Sequence, residues 1–435
     1  MTTTSSVPEP DAVVGALTGG GGPDSGAPKQ QIRGPLQRLL ISLVPANLVL
    51  FAIYGALPQY LLPIQIGNLD KHDKVINLAI VTTVGAFAAM IAQPVAGQIS
   101  DRTRSRFGRR APWIVMGALI AGVAMVGIGL SNGLWEIAAA WAIAQIAYNF
   151  AQGPVSAFIP DRVPAWALGT FAAVSGGALM FGAVGGVVLA RIFARQLPAG
   201  YVFFAGLALI VLTLFVVFNR EASSKDVPRE PFVLLDFLRT FWVNPLAHPD
   251  FFFAFAGRLL LYAGYFAVTG YNLYILEDYI HLGVSGAEDV FSVVAALSLA
   301  GIIPGIIVCG IVSDRIGRRK IFVFISSVLV GIGLLIPMVF PTLGGMLAMS
   351  VVAGLGFGAF QSVDQAVVNQ VLPNKASYAK DLGVVNIAAT FPQAVAPAIG
   401  GIVVASFGGY VALFPVGIVL TVLGAFAVWF IRAVK

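Results

Sequence analysis

Long uninterrupted apolar runs, not alternation, dominate this chain. Each is about 20 residues long, the length a helix needs to cross a hydrocarbon core at 1.5 Å per residue. Twelve such runs can be marked, at 41–64, 76–98, 112–131, 134–156, 168–191, 201–219, 252–275, 288–311, 321–340, 343–368, 381–405 and 410–431. Only helices and closed barrels satisfy their backbone groups in lipid, and continuous apolar runs exclude the period-two pattern of a barrel. The pattern therefore predicts an all-α polytopic membrane protein of twelve spans.

The residues between the runs divide the chain. Residues 1–38 are rich in Ser, Thr, Gly and Pro and read as a disordered tail. No basic segment followed by an apolar one occurs there, so the tail does not read as a cleaved signal peptide. The longest internal connector, 220–250, carries Arg220, Lys225, Arg229, Arg239 and several prolines. It separates a six-span unit at 39–219 from another at 251–435. With the N-terminus inside, 21 of the 26 basic residues fall on the inner side and four on the other. That asymmetry predicts cytoplasmic termini and a multi-pass chain in the cell membrane.

Composition agrees: 58% of residues are hydrophobic and 11% charged, with a net charge of +6. Basic inner loops in contact with membrane lipids account for that charge without nucleic acid. The single cysteine, Cys309, lies in an apolar run, and His72, His248 and His281 are far apart, so no disulfide, metal site or cofactor is expected. No phosphate-binding G-x-x-x-x-G-K-[ST] loop occurs, and no catalytic constellation lies on a span face, so an ATP-driven pump or an enzyme is disfavoured.

Charge is concentrated in GQISDRTRSRFGRR at 97–110, between spans two and three, and the pattern recurs as GIVSDRIGRRK at 310–320. Gly97, Ser100, Asp101 and Arg102 match Gly310, Ser313, Asp314 and Arg315 at an offset of 213. Gly108, Arg109 and Arg110 match Gly317, Arg318 and Arg319 at 209, the first copy having four extra residues. The 209 offset continues, aligning 149–164 with 358–373 and pairing Gln152 with Gln361. Each half is thus one copy of a six-span unit. A glycine in this loop lets helix ends approach, and the aspartate can accept hydrogen bonds from a helix N-terminus. The arginines can pair with that aspartate, forming a latch that opens and closes between conformations.

The repeated G-x-x-S-D-R…G-R-R loop resembles that of the major facilitator superfamily, and having it in both halves covers nearly the whole chain. The longer form SDRTRSRFGRRAPW and the NFAQGP of span four are similar to the glycoside–pentoside–hexuronide symporters and sucrose-type carriers. GRLLLYAGYF, SVDQAVVNQVLP and KDLGVVNIAATFPQAVAPAIGG resemble actinobacterial facilitators of undefined substrate. The chain departs from sucrose-type carriers at Val155 and Ser156, where they carry an arginine after QGP. It also has no acid in span one, unlike the glycoside symporters, and Asn149 stands where many sugar and drug facilitators have arginine. The resemblance implies a monomeric secondary transporter using a transmembrane proton gradient, with spans one, four, seven and ten lining a central cavity.

Those spans carry polar residues at helical spacing: Gln145, Tyr148, Asn149 and Gln152 in span four, and Arg258, Tyr262, Tyr265, Thr269 and Asn272 in span seven. Gln361, Asp364 and Gln365 follow in span ten, and Asn47, Tyr54 and Gln59 more loosely in span one. Amides satisfy hydroxyls and phenol rings cover the apolar face of a sugar, so a neutral polyhydroxylated solute fits this set. The same residues also serve to bind helices together in membranes. Arg258 and Asp364 are the ionisable residues well inside spans; each lies nine residues from a proline at the cytoplasmic end of its span, Pro249 or Pro373, hence at similar depth. They are expected to pair, and to part when Asp364 takes a proton. Glu277, Asp278, Glu288 and Asp289, at the outer ends of spans seven and eight, read as a solvated rim. The leading expectation is proton-coupled symport of a sugar or similar solute; a proton-driven exporter of drugs or metabolites is the alternative.

Overall fold

The computed structural model describes residues 32–225, 248–371 and 378–431, with side chains left out at Ala165, Asp314, Gln365 and several positions between 366 and 394. The N-terminal tail up to residue 31 and most of the 220–250 connector fall outside the described residues. Twelve helices of at least fifteen residues appear among the described residues. In chain order they are α1 (Pro35–Leu69), α2 (Lys74–Arg102), α3 (Ala111–Leu130), α4 (Leu134–Arg162), α5 (Leu168–Arg191) and α6 (Leu197–Phe218). The second six are α7 (Pro249–Thr269), α8 (Gly283–Ile316), α9 (Arg319–Val339), α10 (Leu343–Val371), α11 (Tyr378–Phe407) and α12 (Leu413–Ala427). Among the described residues, ten helices are long and apolar enough to cross a membrane. α4, diluted by its polar stripe, falls short, and α11 has only the shorter apolar stretch Phe391–Phe407 among its described residues.

Two features differ from the pattern-based expectation. α1 begins at Pro35, inside the stretch read as tail, because Pro at the first helical turn needs no amide partner. Span seven is not continuous: α7 stops at Thr269, Gly270 and Tyr271 interrupt it, and one turn at Asn272–Tyr274 leads into a π-type turn at Ile275–Tyr279. α1 contains a similar π-type segment at Leu57–Leu61. Such turns mark functional sites and hinges, and hydropathy carries no trace of them.

Outward faces are apolar. Ile91, Val123, Ile192, Ile210, Ile402 and Phe407 are each more than 60% exposed, a belt that water would not tolerate and lipid does. Small residues bring helices close where they pack. A Cβ at Gly186 of α5 would fall 2.0 Å from the carbonyl oxygen of Ala52 in α1, the close backbone approach typical of membrane helix pairs. α1 packs on α5, and α2 and α3 on α4; α7 packs on α12, and α8 and α9 on α10. The halves meet where α2 lies along α11 and α5 along α8. The 103–110 loop and the start of α7 lie at one end, called here the basic end; Lys74, Arg191 and the 275–289 segment lie at the far end.

Candidate functional site

At the basic end, the first loop motif forms an ion cluster within its own half. Arg110 is 4% exposed, and its Nη2 lies 2.7 Å from Asp161 Oδ2 and 3.7 Å from Asp101 Oδ1. Arg109 also pairs with Asp161. The amides of Arg110 and Ala111, at the start of α3, donate to Glu221 Oε2 at 2.8 and 3.3 Å. Burial lowers the Arg109 pKa, but the hydrogen bond and charge of Asp161 outweigh it and the net shift is upward. For Arg110 burial prevails over Asp161 and the net shift is downward, leaving a guanidinium that is still charged at neutral pH.

Three expectations for the loop change accordingly. Glu221, not Asp101, accepts the helix N-terminal amides. The main partner of the arginines is Asp161 at the end of α4, because the 103–110 loop folds Arg110 inward beneath that helix. Gly97 allows no close approach here: nothing among the described residues lies within 4 Å of where its Cβ would be. The required glycine is Gly108, at φ +91° with a Cβ position 2.2 Å from the Cβ of Glu221. Its counterpart Gly317 is also left-handed, at φ +69°, and ends α8. In the second copy Arg315 and Arg318 are exposed and Arg319 is half-buried, while the side chain of Asp314 lies outside the described residues. Arg102, half-buried at the end of α2, is engaged in an interaction of its own. Asp161→Asn is therefore expected to lower thermal stability more than Asp101→Asn, because Asp161 is the nearer partner of the buried Arg110 and also pairs with Arg109; equal melting curves would contradict the assigned pairing.

Within the membrane the predicted residues fall into two clusters. On α1 and α4, the Tyr54 hydroxyl donates to Gln152 Oε1 at 3.1 Å and also engages the Asn149 side chain. Asn149 Nδ2 donates to the Gln145 backbone carbonyl at 2.8 Å, and Tyr54 and Tyr148 meet edge to face. Tyr148 donates to the Leu50 carbonyl of α1 and so holds helices together. Asn47 does the same with Ser175 of α5, 3.4 Å away, a partner that span periodicity did not single out. Gln59 is exposed on the π-type segment, and among the described residues no hydrogen bond ties it to this cluster.

On α7 and α10, Arg258 Nε lies 2.6 Å from Asp364 Oδ2. Both residues are buried, at 6% and 3% exposure. Gln361 hydrogen-bonds Tyr262, one turn along α7 from Arg258. Tyr262 and Tyr265 pack on Phe357, the latter stacked at 4.3 Å and 10°. Thr269 bonds back to the Tyr265 carbonyl. Asn272 is buried beyond the break, and its Oδ1 has no hydrogen-bond partner among the described residues. Gln365 has its side chain outside the described residues. Among the described residues no group of three His, Cys, Asp or Glu side chains could hold a metal ion.

Helices long and apolar enough for a bilayer, with buried polar clusters on α1, α4, α7 and α10, define a multi-pass membrane protein of the transporter class. The Major Facilitator Superfamily model matches residues 39–303 and 259–435, and the chain belongs to that family. The family sets it among transporters rather than enzymes. Sucrose transport protein SUT1 of Oryza sativa subsp. japonica is 32% identical over 90 residues, and lactose permease of Leuconostoc lactis is 35% identical over 95. Each match covers 20% of this chain and only 17% and 15% of those proteins. Among solved structures, a D-xylose–proton symporter superposes with TM-score 0.68 at 15% identity, covering 92% of this chain and 98% of the other. A variant of the nucleoside transporter NupG gives 0.72 at 15%, covering 90% and 99%. At such identities these likenesses concern the fold.

Proposed function

We propose that this chain is a secondary transporter working by alternating access, which carries a sugar or another small polar solute across the cell membrane in symport with protons. The observation that carries the reading is the buried Arg258–Asp364 pair, 2.6 Å apart on α7 and α10. An ionised pair inside a membrane bundle is costly to keep, and a carboxylate that can be neutralised there is suited to a proton site. Protonation of Asp364 removes the charge that holds Arg258, so the occupancy of one proton can bias two packings of the helices. The Tyr54–Asn149–Gln152 cluster supplies donors and acceptors for hydroxyl groups. The named activities of the xylose symporter, SUT1 and the lactose permease support a sugar as solute. The 21-to-4 bias of basic residues supports a cytoplasmic basic end. The rings of Tyr262, Tyr265, Phe266, Phe357 and Phe360 favour a more apolar cargo and are what the exporter reading rests on.

The test is uptake into vesicles containing the purified protein, with a panel of labelled sugars and an imposed pH gradient. At least one sugar should accumulate when the outside is acidic, and a protonophore should stop it. Accumulation of none of them, with drug efflux driven by the same gradient, would replace symport by export. Once a solute is known, Gln152→Ala and Asn149→Ala should each weaken its binding by about 1–3 kcal/mol, because each removes hydrogen bonds made away from water. Unchanged affinity in both folded variants would assign this cluster to helix packing.

A further inference from the structure

Of the four acids expected to form a solvated rim, Glu277 and Asp278 share one buried cation, while Asp289 stays largely exposed. Lys74 opens α2 and is only 7% exposed. Its Nζ lies 2.9 Å from Glu277 Oε1 and 2.9 Å from the carboxylate of Asp278, both on the irregular segment after α7. The ammonium also sits 4.8 Å from the centre of the Tyr274 ring. Asp278 is held from another side by the Tyr410 hydroxyl, at 2.6 Å, ahead of α12. Around this core the Tyr274 hydroxyl donates to the Pro63 carbonyl of α1 at 2.8 Å, and the Tyr60 hydroxyl to that of Glu288 at 3.4 Å. Arg191 reaches Asp289 at 2.7 Å, but these side chains are 44% and 67% exposed.

We infer that Lys74, clamped between Glu277 and Asp278, is the latch that holds the far ends of the two halves together, and that the far end cannot open without releasing it. The partners belong to opposite halves, so a rocking motion of one half against the other must separate them. The carboxylates lie just beyond the Gly270–Tyr271 break, on a π-type turn that can move without α7 itself unfolding. The latch is also reversible in energetic terms. Lys74 is at a helix start and the acids are at a helix end, so opening returns all three to water, which offsets the lost pairing. Lys71 and Glu288 line the same crevice, and the exposed Arg191–Asp289 pair contributes little by itself. The latch does not depend on which solute is carried.

Ala287 provides the reporter. It is 1% exposed and lines the crevice between the halves together with Glu277, Tyr274 and Pro63. In a chain carrying Ala287→Cys and Cys309→Ser, a hydrophilic maleimide should label the purified protein slowly. Lys74→Gln should speed labelling roughly tenfold by shifting molecules towards the far-open state. The combination Glu277→Gln with Asp278→Asn should do the same, which covers the case in which Lys74→Gln does not fold. Arg191→Gln should change the rate by less than about twofold. Melting curves distinguish opening from unfolding. Unchanged labelling in the folded latch variants, or a larger effect from Arg191→Gln, would overturn the assignment.

Discussion

Asp364→Asn is expected to abolish accumulation of solute against its gradient while leaving downhill exchange measurable. Asparagine has nearly the volume of aspartate and keeps an oxygen that can accept the Arg258 Nε–H, so the packing of α7 on α10 survives. What it lacks is a site that gains and loses a proton. A carrier fixed in the neutral form can still visit both conformations, yet it has nothing through which a pH gradient can do work. The measurement is paired: pH-driven uptake and counterflow in the same vesicles. Accumulation comparable to the unmodified protein would move the proton site elsewhere, with the outer carboxylates Glu277 and Glu288 the next residues to test.

This pair was legible in the sequence because depth in a span is simple arithmetic. Arg258 and Asp364 are each nine residues in sequence from a proline that bounds the apolar run, and ionisable residues inside such runs are conspicuous. The spans were legible for the same reason, since a bilayer imposes a length that residues either meet or fail. The loop cluster was only half legible. The repeated Gly–Asp–Arg pattern located it, but Asp161 and Glu221 are 51 and 111 residues from Arg110 and carry no motif of their own. The nearest signal was the Pro160-Asp161-Arg162 stretch closing span four, an acid beside a basic residue at a helix end. The far-end ion pairs were not legible because Lys74, Glu277 and Asp278 each look like loop residues when taken singly and meet only across the two halves. The break in span seven has no apolar signature, because Gly270 and Tyr271 are compatible with a continuous helix.

Arg258→Ala should be the more damaging change at the pair, and the reason is desolvation. Asp364 is 3% exposed, and in the described structure its carboxylate is paired with Arg258. Removing the guanidinium leaves that carboxylate either ionised without its counter-charge or forced to take a proton at neutral pH. Truncating one partner of a buried pair typically costs about 3–5 kcal/mol, most of it the penalty on the group left behind. Asp364→Asn leaves the cation with an amide oxygen to bond, so its loss of stability should be smaller. The double variant Arg258→Met with Asp364→Asn removes both charges and fills the space with apolar volume. It should melt above Arg258→Ala and close to the unmodified protein, because buried pairs replaced whole by neutral groups are often tolerated. The coupling energy read from the cycle of the unmodified protein, Arg258→Met, Asp364→Asn and the double variant should be at least about 1 kcal/mol, the sign of residues in direct contact. Strict additivity would mean that the two side chains do not depend on each other in the folded protein. Preserved pH-driven accumulation in the stable double variant would separate the fold's need for the pair from any part it plays in transport.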